Sequence, residues 1–130
     1  MIVAEIYTQA DGKITGFSID GHSGTAPRGS DIFCAGVSTV AQAAYMCIAE
    51  HLKRNFYGDF ASGKLSLRLA TPPDEVTEAV FRTMLIGIRE IEKLVPHAVK
   101  MVVTSESSRV GSPINHNLPS INSVGGEKNV

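Results

Sequence analysis

Apolar positions along the chain follow two rhythms. Residues 2–7 and 13–19 are rich in β-formers, with Ile2, Ile6, Ile14, Phe17 and Ile19 among them. Asp11-Gly12 lies between them, and that dipeptide is a strong hairpin signal because both residues tolerate positive φ. Residues 64–70 alternate: Leu65, Leu67 and Leu69 point one way, Lys64, Ser66 and Arg68 the other. This pattern describes a strand with one buried face. Val99, Met101 and Val103 repeat that phase over residues 98–104 and predict a fourth strand.

Elsewhere the apolar period lengthens to that of a helix. From about 31 to 55, Val37, Val40, Ala41, Ala44, Ile48 and Leu52 form one stripe, with small neighbours such as Ala35 and Gly36 that permit close packing. From about 72 to 95, Val76, Val80, Met84, Ile88, Ile91 and Val95 form a second. Thr71, Pro72 and Asp74 suit its start, with Thr71 as cap, and Pro96 ends it. The expected order is ββαβαβ. The fold class is α+β: a two-layer sandwich with a small, mainly antiparallel sheet covered on one face by two helices. The domain spans residues 1–104. In residues 105–130, Ser, Asn, Gly and Pro supply 15 of 26 positions and no apolar period survives. That segment is expected to be a disordered tail or an appended remnant outside the fold.

Composition narrows the function. The chain has 130 residues, 12 Lys+Arg against 13 Asp+Glu, no Trp, three Tyr and five Phe. A net charge of −1 disfavours a broad nucleic-acid-coating surface, and few aromatics are available to stack bases. Two cysteines, Cys34 and Cys47, are too few for a disulfide scaffold or a cysteine-rich metal site. No histidine has metal-ligand spacing, so no metal and no cofactor is expected. The start carries no signal-peptide pattern, and no uninterrupted apolar run approaches the ~20 residues of a membrane span. A cytoplasmic protein with reduced thiols is the default.

The chemistry gathers in residues 21–38, a strand-to-helix connection. Three glycines (Gly21, Gly24 and Gly29) and Pro27 make residues 21–29 a loop. With Ser30 or Asp31 as N-cap, Cys34 falls in the first helical turn, where unpaired amides and the helix dipole favour a thiolate. The blander reading of Cys34 is a small buried apolar residue. His22 ends the preceding strand, twelve residues before Cys34, and a loop of that length folds back easily. An imidazole within reach of a thiol takes its proton and returns it to a leaving amine. A solvated loop histidine is the alternative. Asp31 is the cap, an orienter of His22, or a contact for a substrate amine. Ser38, one turn after Cys34, lines the same side or simply bonds back to its helix. Gly24-Thr25-Ala26-Pro27-Arg28-Gly29 has the glycine spacing of a phosphate loop, but Ser30-Asp31 replaces the Lys-Ser/Thr that reads phosphate and magnesium.

Taken together, Gly21-His22-Ser23-Gly24, Gly29-Ser30-Asp31-Ile32, Cys34-Ala35 and Val37-Ser38 resemble the signature of the ribosomal-processing cysteine protease (Prp) family. The resemblance covers residues 1–104. It implies a peptidase that removes the short N-terminal extension of large-subunit ribosomal protein twenty-seven, acting as a homodimer. Carried over by position, Cys34 is the nucleophile and His22 the general base. Asp31 and Ser38 take supporting places near the dyad, and Gly21, Gly24 and Gly29 match a loop that reorders around substrate. Amides at the helix start, that of Cys34 included, are expected to hold the oxyanion. A groove near Phe33 is expected to take apolar substrate side chains. The competing expectations are a non-enzymatic ribosome- or RNA-associated module and a thiol redox or acyl-transfer enzyme. The latter is weakened by the absence of a Cys-x-x-Cys motif.

Overall fold

The computed structural model describes residues 1–21, 28–61 and 63–106, and only the backbone of residues 28–31. The elements run β1 (Ile2–Thr8), β2 (Ile14–Asp20), α1 (Arg28–Met46, continued by a π-helical turn Cys47–His51), β3 (Phe56–Ala61), β4 (Lys64–Leu69), α2 (Glu75–Leu94) and β5 (Val99–Ser105). The sheet order is β3-β4-β2-β1-β5. Every neighbouring pair is antiparallel except β1 with β5.

The two-layer α+β sandwich holds, with both helices on one face. The order is corrected to ββαββαβ, because β3 is a strand that alternation does not reveal. Its sequence, Phe56-Tyr57-Gly58-Asp59-Phe60-Ala61, places a glycine and a carboxylate mid-run, and only Phe56 and Gly58 are buried. Pairing with β4 supplies what local propensity lacks.

Asp11-Gly12 makes the expected turn: Gly12 has φ +92°, and its amide donates to the Gln9 carbonyl at 2.8 Å. The register slips at Tyr7/Thr8. The Ile14 amide at that irregularity donates to the Glu78 carboxylate of α2 at 2.9 Å, so a helix satisfies what the sheet cannot. The core lies between sheet and helices, with Ile6, Phe17, Phe56, Leu67, Phe81 and Ile88 fully enclosed.

The helices pack through glycines. A Cβ on Gly36 would come within 3.1 Å of the Ile91 side chain, and Gly87 faces Val40. Helix α2 begins later than expected. Asp74 is its N-cap, accepting from the amides of Val76 and Thr77, and Thr77 closes the box from the other side.

One expected boundary changes, and α1, though interrupted by polar residues, reaches the length of a membrane span. Ile32–His51 is long and apolar enough, by length and composition, to cross a membrane. In this fold it is the helix that supplies Val37, Ala41, Ala44, Tyr45 and Ile48 to the core. The fold also runs past residue 104. Ser105 ends β5, and the Glu106 carboxylate accepts from the Thr15 hydroxyl at 3.1 Å and pairs with Arg68 at 2.6 Å. Residues 107–130, the rest of the expected tail, lie outside the described residues.

Candidate active site

Antiparallel pairing sets the start of β1, the end of β2 and the start of β4 side by side, Val3 against Asp20 and Asp20 against Lys64. A cleft of roughly 200 Å³ opens there. Its helix wall carries Cys34, Ser38 and Gln42, spaced by four and therefore on one face of α1. Its sheet wall carries Ile2, Ile19 and Leu65, with Gly21 where β2 ends. Phe60, Ala61, Gly63 and Lys64 of the β3–β4 hairpin complete the rim.

Cys34 is a half-buried free thiol at this cleft. It therefore does not behave as a plain core residue: it packs on the core and also faces open space. Cys47, thirteen residues further along the helix, is likewise free and half-buried but is not part of the cleft lining.

Gly21 is held by geometry. Its φ is +88°, and a Cβ there would sit 2.5 Å from the Met1 carbonyl oxygen. Only glycine meets both conditions. Its amide donates to the Asp20 side chain at 2.8 Å, which closes the end of β2 next to the cleft. Ser38 is exposed and lines the cleft one helical turn from Cys34.

The start of α1 corrects the electrostatic expectation. The helix begins at Arg28, so Gly29, Ser30 and Asp31 lie within it, and neither Ser30 nor Asp31 is its N-cap. Cys34 is six residues in, about 9 Å along the axis. The four free amides of an α-helix are its first four, so the Cys34 amide falls inside the i→i−4 ladder and is not an available oxyanion donor. The dipole's influence also fades within the first turn. His22 and Gly24 lie outside the described residues, as does the side chain of Asp31.

The apolar groove is placed differently as well. Phe33 packs against the core, whereas the aromatic ring at the cleft is Phe60, on the strand that alternation missed. Gln42 was legible in principle, since it extends the Cys34–Ser38 spacing by one more turn. Phe60, Gly63 and Lys64 were not, because they depend on a pairing that only the folded sheet shows. Among the described residues, no group of three or more His, Cys, Asp or Glu side chains is arranged to hold a metal ion.

The profile of the family described as cysteine protease Prp matches residues 1–100. The chain belongs to that family, and it is a cysteine protease. The ribosomal processing cysteine protease Prp of Staphylococcus aureus is 29% identical over 97 residues, covering 72% of this chain and 90% of that protein. The fold agrees. A crystal structure of S. aureus Prp with a substrate peptide superposes with a TM-score of 0.72 at 23% identity, covering 80% of this chain and all of that one. A second, with a covalently linked product peptide, gives 0.70 at 24% identity with the same coverage. A Streptococcus mutans protein gives 0.70 at 22% identity, covering 81% of this chain and 98% of its own.

Proposed function

We propose that this Prp-family protease removes the short N-terminal extension of large-subunit ribosomal protein twenty-seven, with Cys34 as nucleophile and His22 as general base. One observation carries the reading: a free Cys34 thiol lines the same cleft as Gly21, and His22 is the next residue after Gly21. The His22 imidazole is thereby tethered one peptide bond from the rim of the cleft that Cys34 lines. The peptide complexes of the S. aureus relative support a peptide substrate.

In this reading His22 takes the thiol proton and Cys34 Sγ attacks the scissile carbonyl carbon. The tetrahedral intermediate collapses, the C–N bond breaks, and His22 returns the proton to the departing amine. Water, deprotonated by His22, then attacks the thioester, and the released thiolate recovers its proton. Ser38 and Gln42 bring a hydroxyl and an amide donor to the cleft wall, where they can meet the oxyanion that the Cys34 amide does not. Asp31 and Gly24 keep the supporting places near the dyad that the family signature implies, whereas Gly29 belongs to α1. The protein acts as a homodimer in the cytoplasm, where free thiols persist.

Intact-mass analysis of the ribosomal precursor mixed with this protein tests the reading. Wild-type protein is expected to shorten the precursor at a single N-terminal site. Cys34→Ala and His22→Ala are each expected to abolish cleavage while leaving the circular dichroism spectrum unchanged. A precursor untouched by folded wild-type protein, or cleaved as well by Cys34→Ala, overturns it.

A further inference from the structure

We propose that the outer face of the sheet is a docking surface for this chain's own segment 107–130, entered by pairing of Arg109 with Asp59. The inference is independent of the proteolytic reading. Both helices lie on one face of the sheet, so among the described residues no layer covers the other.

The place where the described chain ends is the first argument. Strand β5 is an edge strand, from which a chain is free to turn away from the molecule. This one turns inward. The Glu106 carboxylate accepts from the Thr15 hydroxyl of β2 at 3.1 Å and pairs with Arg68 of β4 at 2.6 Å. The anchor therefore stands over the middle of the outer face, with residues 107–130 still to follow. A segment tethered there meets the face at the high effective concentration of an intramolecular contact, so individually weak contacts suffice.

Charge is the second argument. Strand registers set Val102, Glu5, Ser18, Ser66 and Asp59 in one row across the outer face, two residues along from the row that holds Arg68. The row carries two carboxylates and no cation. Glu5 accepts from the Tyr7 and Thr104 hydroxyls. Asp59 is exposed and has no ion pair among the described residues. Between the two carboxylates stand Ser18 and Ser66, small and half-buried, so the middle of the row is low. The sequence after Glu106 is Ser107-Ser108-Arg109, two small hydroxyl residues and then a cation. On strand spacings Asp59 lies about 8 Å from Arg68, and three extended residues span about 10 Å. That order and that reach suit serines over the low middle and an arginine against the free carboxylate.

The test compares NMR spectra of the full chain with those of a chain ending at Glu106, which keeps every contact described here. The full chain is expected to show displaced resonances at Ser18, Asp59 and Ser66, independent of protein concentration, with α1 and α2 unchanged. Asp59→Arg in the full chain is expected to move the Ser18 and Ser66 signals toward those of the shortened chain. Asp59→Arg combined with Arg109→Glu is expected to move them back. Because Asp59 is exposed, these variants are expected to keep the fold. Trypsin supplies the magnitude: cleavage after Arg109 is expected to be about threefold faster in Asp59→Asn than in wild type, the scale of an exposed ion pair. Sheet resonances that coincide in the two chains overturn the proposal, as do equal cleavage rates. Differences that grow with concentration also overturn it, because they give the face to a second copy.

Discussion

Asp74 shows how one carboxylate can be read correctly in kind and wrongly in place. The run Thr71-Pro72-Pro73-Asp74-Glu75-Val76-Thr77 holds two overlapping cap patterns, Thr71 with Asp74 and Asp74 with Thr77. Local chemistry permits both. The second is realised, and Arg54, from the segment after the π-helical turn, pairs with Asp74 at 2.6 Å. That guanidinium, with the Thr77 and Val76 amides, holds the Asp74 carboxyl below its ordinary value of 3.8. A depressed folded-state pKa gives stability that is present above the unfolded value and lost as pH falls through the folded one. Asp74→Asn keeps a capping oxygen but removes the charge. Wild type is therefore expected to melt above Asp74→Asn at neutral pH. The gap is expected to close as the pH falls below about 3.8, as thermal melts at several pH values will show. The same boundary problem moved Cys34. Placing the start of α1 three residues late put the sulfur in the first turn, and the true start removes the dipole argument while leaving the residue at the cleft.

Helix stripes and strand alternation were legible because each element carries its own period over at least two turns or three alternations. Strand β3 carries neither, and it supplies the hairpin rim of the cleft. Its existence depends on β4, which has a clear pattern and a second edge to offer. Gly16 is a comparable case inside a legible strand. Nothing in the sequence explains a glycine in mid-β2, but a Cβ there would meet the Leu67 carbonyl oxygen at 2.3 Å and the Arg68 Cα at 2.9 Å. The neighbouring strand has closed over the space. Gly16→Ala must push β2 from β4 or break their register between Gly16 and Arg68. The expected loss is about 1–3 kcal/mol of stability, the usual cost of overpacking, measured by urea denaturation. A variant as stable as wild type would show that the sheet opens here without cost.

At the scale of the whole molecule, the sheet's outer face is tied by a contact that composition concealed. The chain leaves β5 at one edge, yet Glu106 reaches back across β1 to Thr15 of β2 and Arg68 of β4. Beneath it, Arg68 lies over the Tyr7 ring at 4.3 Å, and Gly16 is the strand position that lets its stem pass. The phenol of Tyr7 is pushed above its ordinary value, first by burial and then by the neighbouring Glu5 charge, so it stays protonated and donates to Glu5. With Thr15, a cation, two carboxylates and an aromatic ring thus tie β4, β2 and β1 to the residue that follows β5. The polar stretch after residue 104 gave no hint of this, because the pairing is between residues 38 positions apart and needs the sheet in between. Removing the anion tests whether the tie matters. Glu106→Ala removes the anion from a guanidinium that keeps Tyr7 as its neighbour and is largely withdrawn from water, since the Arg68 and Glu106 side chains are 25% and 23% exposed. The expected cost is about 1–2 kcal/mol. Glu106→Gln, which keeps an acceptor for Thr15, should recover part of it. Hydrogen exchange should place the loosened amides at the far end of β5, around Val103 and Thr104, while α1 and the cleft keep their protection. Faster exchange spread evenly over the sheet would mean that Glu106 supports the fold as a whole and does not clamp its edge.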